Sequence, residues 1–328
     1  MPMEKITFGR LPNVLTAREL IDTAFKRASE GAARAEGTPR EVAAQREQQR
    51  ITIATTTIAE HLRKIVADFP SLIDLPPFYH DLVEAIEGID ELKKSLGAIG
   101  GAVKVVEKIR REQLRKLKMI KNPAEAAAVR RQAYGRISSV LKKIDRNLIF
   151  LKEAAKRLSD LPDVYLDLPT IVIAGYPNVG KSTLLKVLTG SSPKIAPYPF
   201  TTTGLQLGYF EHKHQRYQVI DTPGLLDRPL EKRNQVELQA ISALKHLAKS
   251  IVFILDPSES CGYRLEDQLN LLKDVRKSFP ETKIFVVVNK TDLLNKDKIE
   301  EMWKAHPDAL FIKATTGEGV AELKQKLI

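Results

Sequence analysis

The chain has 328 residues, 43% of them hydrophobic and 28% charged, a globular balance that excludes a disordered chain. No run approaches the roughly 18 to 20 apolar residues that a membrane helix needs, and a single cysteine, Cys261, excludes an internal disulfide. The net charge is +11, and residues 101–157 alone hold 17 Lys/Arg against 5 Asp/Glu, so the basic excess is concentrated on one segment.

The length suits about two domains. The opening MPMEKITFGRLPN lacks the apolar core of a signal peptide, so neither export nor a membrane partner is expected and the lone thiol fits the cytoplasm. As a nucleophile or metal ligand, Cys261 lacks partners nearby. Residues 1–165 read as an all-α helical bundle. Thr38-Pro39-Arg40-Glu41 is a helix start with a capping box, and the helix is predicted to run to Asp68, before Pro70. Gly97, Gly100 and Gly101 are expected to mark a helix joint. Asn122-Pro123-Ala124-Glu125 repeats the start signal. The spacing of Ile137, Val140/Leu141, Ile144, Leu148, Leu151, Ala154/Ala155 and Leu158 then predicts one helix of about ten turns. Arg130, Arg131, Arg136, Lys142, Lys143, Arg146, Lys152, Lys156 and Arg157 fall off that stripe and are expected to face outward. Such a block attracts a phosphate polymer through counterion release, or it is simply a solvated face. The acidic DLVEAIEGIDE, residues 81–91, could contact it within the chain.

Near Leu161-Pro162 the rhythm changes, and residues 166–328 read as a second domain. PTIVIAG, RYQVID, SIVFILD and TKIFVVVN are short strand-like runs separated by helical stretches. That alternation predicts a mostly parallel sheet with helices on both faces, whose ligand sits at the carboxyl ends of the strands.

Every motif falls at such an end. GYPNVGKST matches G-x-x-x-x-G-K-[ST] between a strand and a helix. Gly175 and Gly180 allow the turn, with Pro177, Asn178 and Val179 between them. Successive backbone N–H groups as far as Thr183 then face the phosphates. Lys181 would reach the outer phosphates and Ser182 would ligate Mg²⁺. In DTPG, Asp221 would hold Mg²⁺ through water and the Gly224 N–H would meet the γ-phosphate. YPFTTTG offers a threonine for the metal, Thr202 or Thr201. NKTD fixes the base: the Asp292 carboxylate accepts from guanine N1–H and its exocyclic amine, donors that adenine lacks on that edge. Asn289 would brace this loop and the stem of Lys290 would cover the ring. In KATTGEG the Ala314 N–H, with Thr315 beside it, would meet the guanine carbonyl oxygen. The cofactors expected are therefore GTP or GDP with Mg²⁺. An ATP-dependent kinase is disfavoured by NKTD and by the lack of a recognisable lid.

The order GxPNxGKS then YPFTT resembles the Obg branch of translation-factor-related GTPases, and on that resemblance Thr202 is the metal threonine, with Thr201 second. DPSESCGY, LPTIVIAGYPNVGKST, PPFYHDLVEAI and YGRISSVLKKI resemble the nucleolar G protein (Nog) family of ribosome-assembly GTPases over nearly the whole chain. Ending at Ile328, without the long extension of the eukaryotic proteins, the chain is similar to a short archaeal-type member. The resemblance implies a P-loop GTPase domain after a helical bundle, acting on the large ribosomal subunit precursor. The basic helices within 101–157 would contact its RNA, chiefly at phosphates. No DNA partner is expected, and the chain is expected to be a monomer. Where related GTPases carry a water-orienting glutamine, this chain has Leu225, so turnover alone should be slow. Asn178 has two readings: it helps hold a K⁺ ion against the phosphates, as in related GTPases, or it only shapes the loop. A scaffold with negligible turnover remains the competing function.

Overall fold

The computed structural model describes residues 8, 11–31, 36–198, 204–229, 231 and 233–328. It divides into two compact units, one of Phe8–Asp74 with Glu87–Ser159, the other of Leu75–Ile86 with Asp160–Ile328.

The first unit is helical. It comprises α1 (Ala17–Glu30), α2 (Pro39–Asp68), α4 (Ile89–Leu117), α5 (Pro123–Lys143) and α6 (Asp145–Ser159). Both predicted starts form. Thr38 accepts from the Glu41 N–H while Glu41 accepts from the Thr38 N–H, and Asn122 accepts from the Glu125 N–H ahead of Pro123. Each occupies amide donors that a helix start otherwise leaves unpaired.

Two expectations are corrected. The glycines at 97, 100 and 101 lie inside an unbroken α4. Their helix cost of about 1 kcal/mol each is outweighed by the buried stripe Leu92, Ser95, Ile99, Ala102, Val103, Val106 and Ile109. The ten-turn helix is broken at Ile144 into α5 and α6. There Asp145 Oδ1 accepts from the Ala17 N–H at 2.8 Å, so the first residue of α6 caps α1. The apolar stripe survives the break: Ile137, Leu141, Ile144, Leu148, Leu151, Ala154, Ala155 and Leu158 are all buried.

The basic face is only partly free. Arg130 Nε lies 2.7 Å from the buried Glu47, Arg136 pairs with Glu112 at 2.7 Å, and Lys152 with Glu19 at 3.1 Å. Arg157 donates to Glu87, from the acidic segment, at 2.9 Å. By contrast Arg111, Arg115, Lys142, Lys143 and Arg146 are exposed and have no ion-pair partner among the described residues.

The second unit is a seven-stranded sheet of order β2-β3-β4-β1-β5-β6-β7. Its strands are β1 (Thr170–Ala174), β2 (Lys194–Ala196), β3 (Leu205–His212), β4 (Gln215–Asp221), β5 (Ala248–Leu255), β6 (Lys283–Val288) and β7 (Leu310–Phe311). Pairings from β4 through β1, β5 and β6 to β7 are parallel, whereas β2–β3 and β3–β4 are antiparallel. Buried on both faces, β1 reads as an unbroken apolar run rather than an alternation. The helices are α7 (Lys181–Thr189), α8 (Gln235–Lys245), α9 (Leu265–Ser278), α10 (Lys296–Ala305) and α11 (Val320–Leu327). This is the expected α/β P-loop architecture after a helical bundle.

The helix α3 (Pro77–Glu87) falls largely with the sheet, so compactness divides the chain differently from a single cut at 165. Buried Tyr79 donates its hydroxyl to the Pro162 carbonyl at 3.0 Å, and His246 Nε2 lies 3.1 Å from Asp81. Among the described residues no helix is long and apolar enough to cross a membrane.

Candidate functional site

The loop between β1 and α7 turns because two of its residues are glycine. At Gly175, with φ +136°, an added Cβ would lie 2.6 Å from the Ile254 carbonyl oxygen. At Gly180, with φ +107°, it would lie 2.2 Å from Asn289 Nδ2. Asn178 also takes a left-handed φ of +63° and is exposed at the rim. Asparagine tolerates that conformation, so the loop's own shape accounts for the residue type.

A cleft of about 420 Å³ opens between this loop and the end of β4, lined by Pro177, Asn178, Gly180, Lys181, Ser182, Thr183, Gln206, Asp221, Pro223 and Asp227. Lys181 is buried, and its ammonium donates to the Gly175 and Tyr176 carbonyls at 2.9 and 2.8 Å. Burial pushes its pKa below the usual lysine value, with Asp221 and Asp227 opposing. Ser182 Oγ donates to Asp221 Oδ2 at 2.7 Å. Burial holds the Asp221 carboxyl above the usual range, opposed by Ser182 and Lys181. Its Oδ1 is buried with no hydrogen-bond partner among the described residues. A buried carboxylate oxygen without a donor, beside a hydroxyl that can ligate, suits a hard cation such as Mg²⁺.

Asn289 ties three motifs together. Its Nδ2 donates to the Val179 carbonyl at 2.8 Å and its Oδ1 accepts from the Ala314 N–H at 3.0 Å. The bracing role expected of Asn289 thus has a concrete geometry, and the Ala314 N–H, expected to face a guanine oxygen, is engaged by Asn289 here. Asp292 is exposed within the 3₁₀ turn Thr291–Leu293, 3.7 Å from Lys313 Nζ, and Thr315 is exposed.

Lys290 sits at φ +57°, its ammonium 2.7 Å from Asp256 Oδ2 and 2.8 Å from Ser260 Oγ. Burial alone would raise the Asp256 carboxyl, but hydrogen bonds from Lys290, Ser258 and Ser260 outweigh it and hold the pKa below the usual carboxylate range. Asp256 opens the DPSESCGY stretch quoted above for its resemblance, and an Asp just past a strand and followed by Pro-Ser-x-Ser is also a turn signal. Cys261 is buried in the same loop, where burial pushes its thiol up, which disfavours a nucleophilic role.

The segment after β4 is pinned to the first loop. The Gly175 N–H donates to the Leu226 carbonyl at 3.0 Å, and Thr222 Oγ1 to the Ile173 carbonyl at 3.2 Å. Leu225 and Leu226 are fully buried. The Gly224 N–H, expected to await a γ-phosphate, is donated to Asp227 Oδ2 at 2.7 Å. Thr201 and Thr202 lie outside the described residues. Just before them Tyr198 is buried and donates its hydroxyl to the Ala240 carbonyl in α8 at 2.7 Å.

Residues 8–165 match the NOG1 N-terminal helical domain, and residues 235–292 match Nucleolar GTP-binding protein 1 (NOG1). An uncharacterized protein of Methanocaldococcus jannaschii is 42% identical over 303 residues, covering 92% of this chain and 85% of that protein. The chain belongs to the nucleolar GTP-binding protein 1 family. The Saccharomyces cerevisiae protein named Nucleolar GTP-binding protein 1 is 36% identical over 242 residues, 74% of this chain. The chain spans 37% of that relative's length. Among solved structures, the G domain of the T. maritima FeoB iron transporter matches 49% of this chain and 96% of its own at 28% identity. The TM-score of that match is 0.41.

Proposed function

We propose that the chain binds GTP and GDP with Mg²⁺ and hydrolyses GTP as a switch in assembly of the large ribosomal subunit. The observation that carries the nucleotide reading is Asn289, whose side chain joins the phosphate loop at Val179 to the loop at Ala314. With those two loops tied together, Asp292 would be the residue that selects guanine. Lys181 would exchange its two carbonyl acceptors for the outer phosphates, and the backbone N–H groups from Asn178 to Thr183 would face them. Ser182, Asp221 and Thr202, with Thr201 as the alternative, would hold Mg²⁺. The metal supplies charge neutralisation at the β- and γ-phosphates. Lys290, anchored by Asp256, would lay its stem over the base.

Hydrolysis needs a device for orienting water, and Leu225 cannot provide one, being apolar and fully buried. Asn178, exposed at the rim of the cleft, would help hold K⁺ against the phosphates and take the charge-stabilising part of an arginine finger, beyond the loop-shaping role that its left-handed backbone already explains. In single-turnover assays, hydrolysis is expected to run roughly tenfold or more faster in KCl than in matched NaCl, an effect one lost donor or ligand contact can reach, and Asn178→Ala should remove the difference. Equal rates in both salts, unaltered by the substitution, would sink the K⁺ role.

The proposed target is ribosomal RNA, engaged by the free cations of the helical unit at the level of phosphates. Membership of a family whose relatives are named nucleolar GTP-binding proteins supports that target, and the cytoplasmic setting proposed here rests on the lone, buried thiol of Cys261. Buried Leu225 favours a second reading, in which nucleotide stabilises an RNA-binding scaffold that scarcely turns over. Single-turnover rates measured with and without large ribosomal subunits separate the two: the switch predicts acceleration, the scaffold none.

A further inference from the structure

Six residues after β4 ends, an aspartate takes the backbone N–H expected to meet a γ-phosphate. Asp227 Oδ2 accepts the Gly224 N–H at 2.7 Å, while its Oδ1 lies 3.3 Å from Arg233 NH2. The Arg233 side chain is completely buried. Its NH1 donates to the Gly224 carbonyl at 2.5 Å and its NH2 to the Leu225 carbonyl at 2.6 Å, so one guanidinium grips two successive carbonyls. Among the described residues, Glu237 is the second carboxylate paired with it, at 3.9 Å. Burial pushes the Arg233 pKa down, with Arg228 adding to this, and Asp227 is the foremost group opposing. Asp227 also lines the cleft.

We propose that Asp227 is an internal stand-in for the γ-phosphate that sets how strongly the site prefers a nucleoside diphosphate over a triphosphate, with Arg233 positioning it. This rests on the guanine-nucleotide reading of the cleft. A triphosphate must take the Gly224 N–H from the carboxylate. One N–H cannot serve two anions within hydrogen-bond reach, and like charges at that separation repel. A diphosphate ends short of Gly224 and leaves the contact intact. Asp227 must therefore move before the triphosphate state forms, and its departure deprives a buried guanidinium of its nearer counter-charge. Both consequences weaken the triphosphate selectively. The space beside Gly224, at φ +81°, is open: an added Cβ there would meet nothing within 4 Å.

The test is a pair of fluorescent-nucleotide titrations, with mant-GDP and mant-GMPPNP, on the full chain and on two variants. Asp227→Asn keeps the shape and an acceptor for Arg233 while losing the charge; Asp227→Ala removes both. The ratio of the GMPPNP Kd to the GDP Kd is expected to fall about tenfold in Asp227→Asn, one lost charge-assisted contact, and at least as far in Asp227→Ala. A ratio within twofold of wild type in Asp227→Asn, with folding verified by circular dichroism, would overturn the latch, as would a ratio that rises. If wild type binds neither nucleotide, the guanine reading itself is wrong. A normal wild type with an unmoved ratio leaves that reading intact and removes only the role of Asp227.

Discussion

Asp292→Asn should cut GTP and GDP affinity at least about 100-fold and confer binding of xanthosine nucleotides. The carboxylate is expected to accept from two guanine donors, and hydrogen bonds to a charged group are worth roughly 1.5–3 kcal/mol each. Losing one of them, and the charge from the other, costs about 3 kcal/mol, roughly two decades of affinity. An amide cannot accept twice, but it can accept from xanthine N1–H and donate to the carbonyl that replaces the exocyclic amine. The side chain is 40% exposed and its pairing with Lys313 is a loose 3.7 Å contact, so the substitution threatens the fold little. Isothermal titration with GDP and with xanthosine diphosphate reads the effect. Unaltered GDP affinity would show that another group selects the base.

Replacing Arg111, Arg115, Lys142, Lys143 and Arg146 together by Gln should lower affinity for large-subunit ribosomal RNA by about 10²–10³ near physiological salt. Each phosphate contact contributes roughly 0.7 to the salt slope on single strands, so the slope should also fall by about 3 to 4. These five are chosen because they are exposed and without ion-pair partners among the described residues. Arg130, which approaches the buried Glu47 and lies over the Tyr134 ring, is excluded because its loss would disturb the helical unit itself. Filter binding across a KCl series gives both quantities. If affinity and slope both hold, RNA contact lies elsewhere.

Local signals carried well from the sequence into the structure. Thr38 and Asn122 cap helices because capping needs only residues three apart, and the buried stripe from Ile137 to Leu158 follows from a spacing of three and four. Motifs at strand ends were legible for the same reason, since strand, loop and helix are contiguous there. What escaped was set by residues distant in sequence. The break at Ile144 coincides with a contact from Asp145 to Ala17, 128 residues away. Asp256, beneath Lys290, and Arg233, behind Gly224, look like ordinary surface polar residues until burial makes them keystones. Gly97, Gly100 and Gly101 misled because propensity is a weak prior against a well-buried helix face.

Crosslinking tests a guanine-nucleotide switch on the large-subunit precursor. Protein preloaded with GMPPNP, added to lysate and crosslinked, should return RNA reads concentrated on large-subunit ribosomal RNA, and fewer after GDP loading. Reads spread evenly over cellular RNAs, whichever nucleotide is bound, would contradict it.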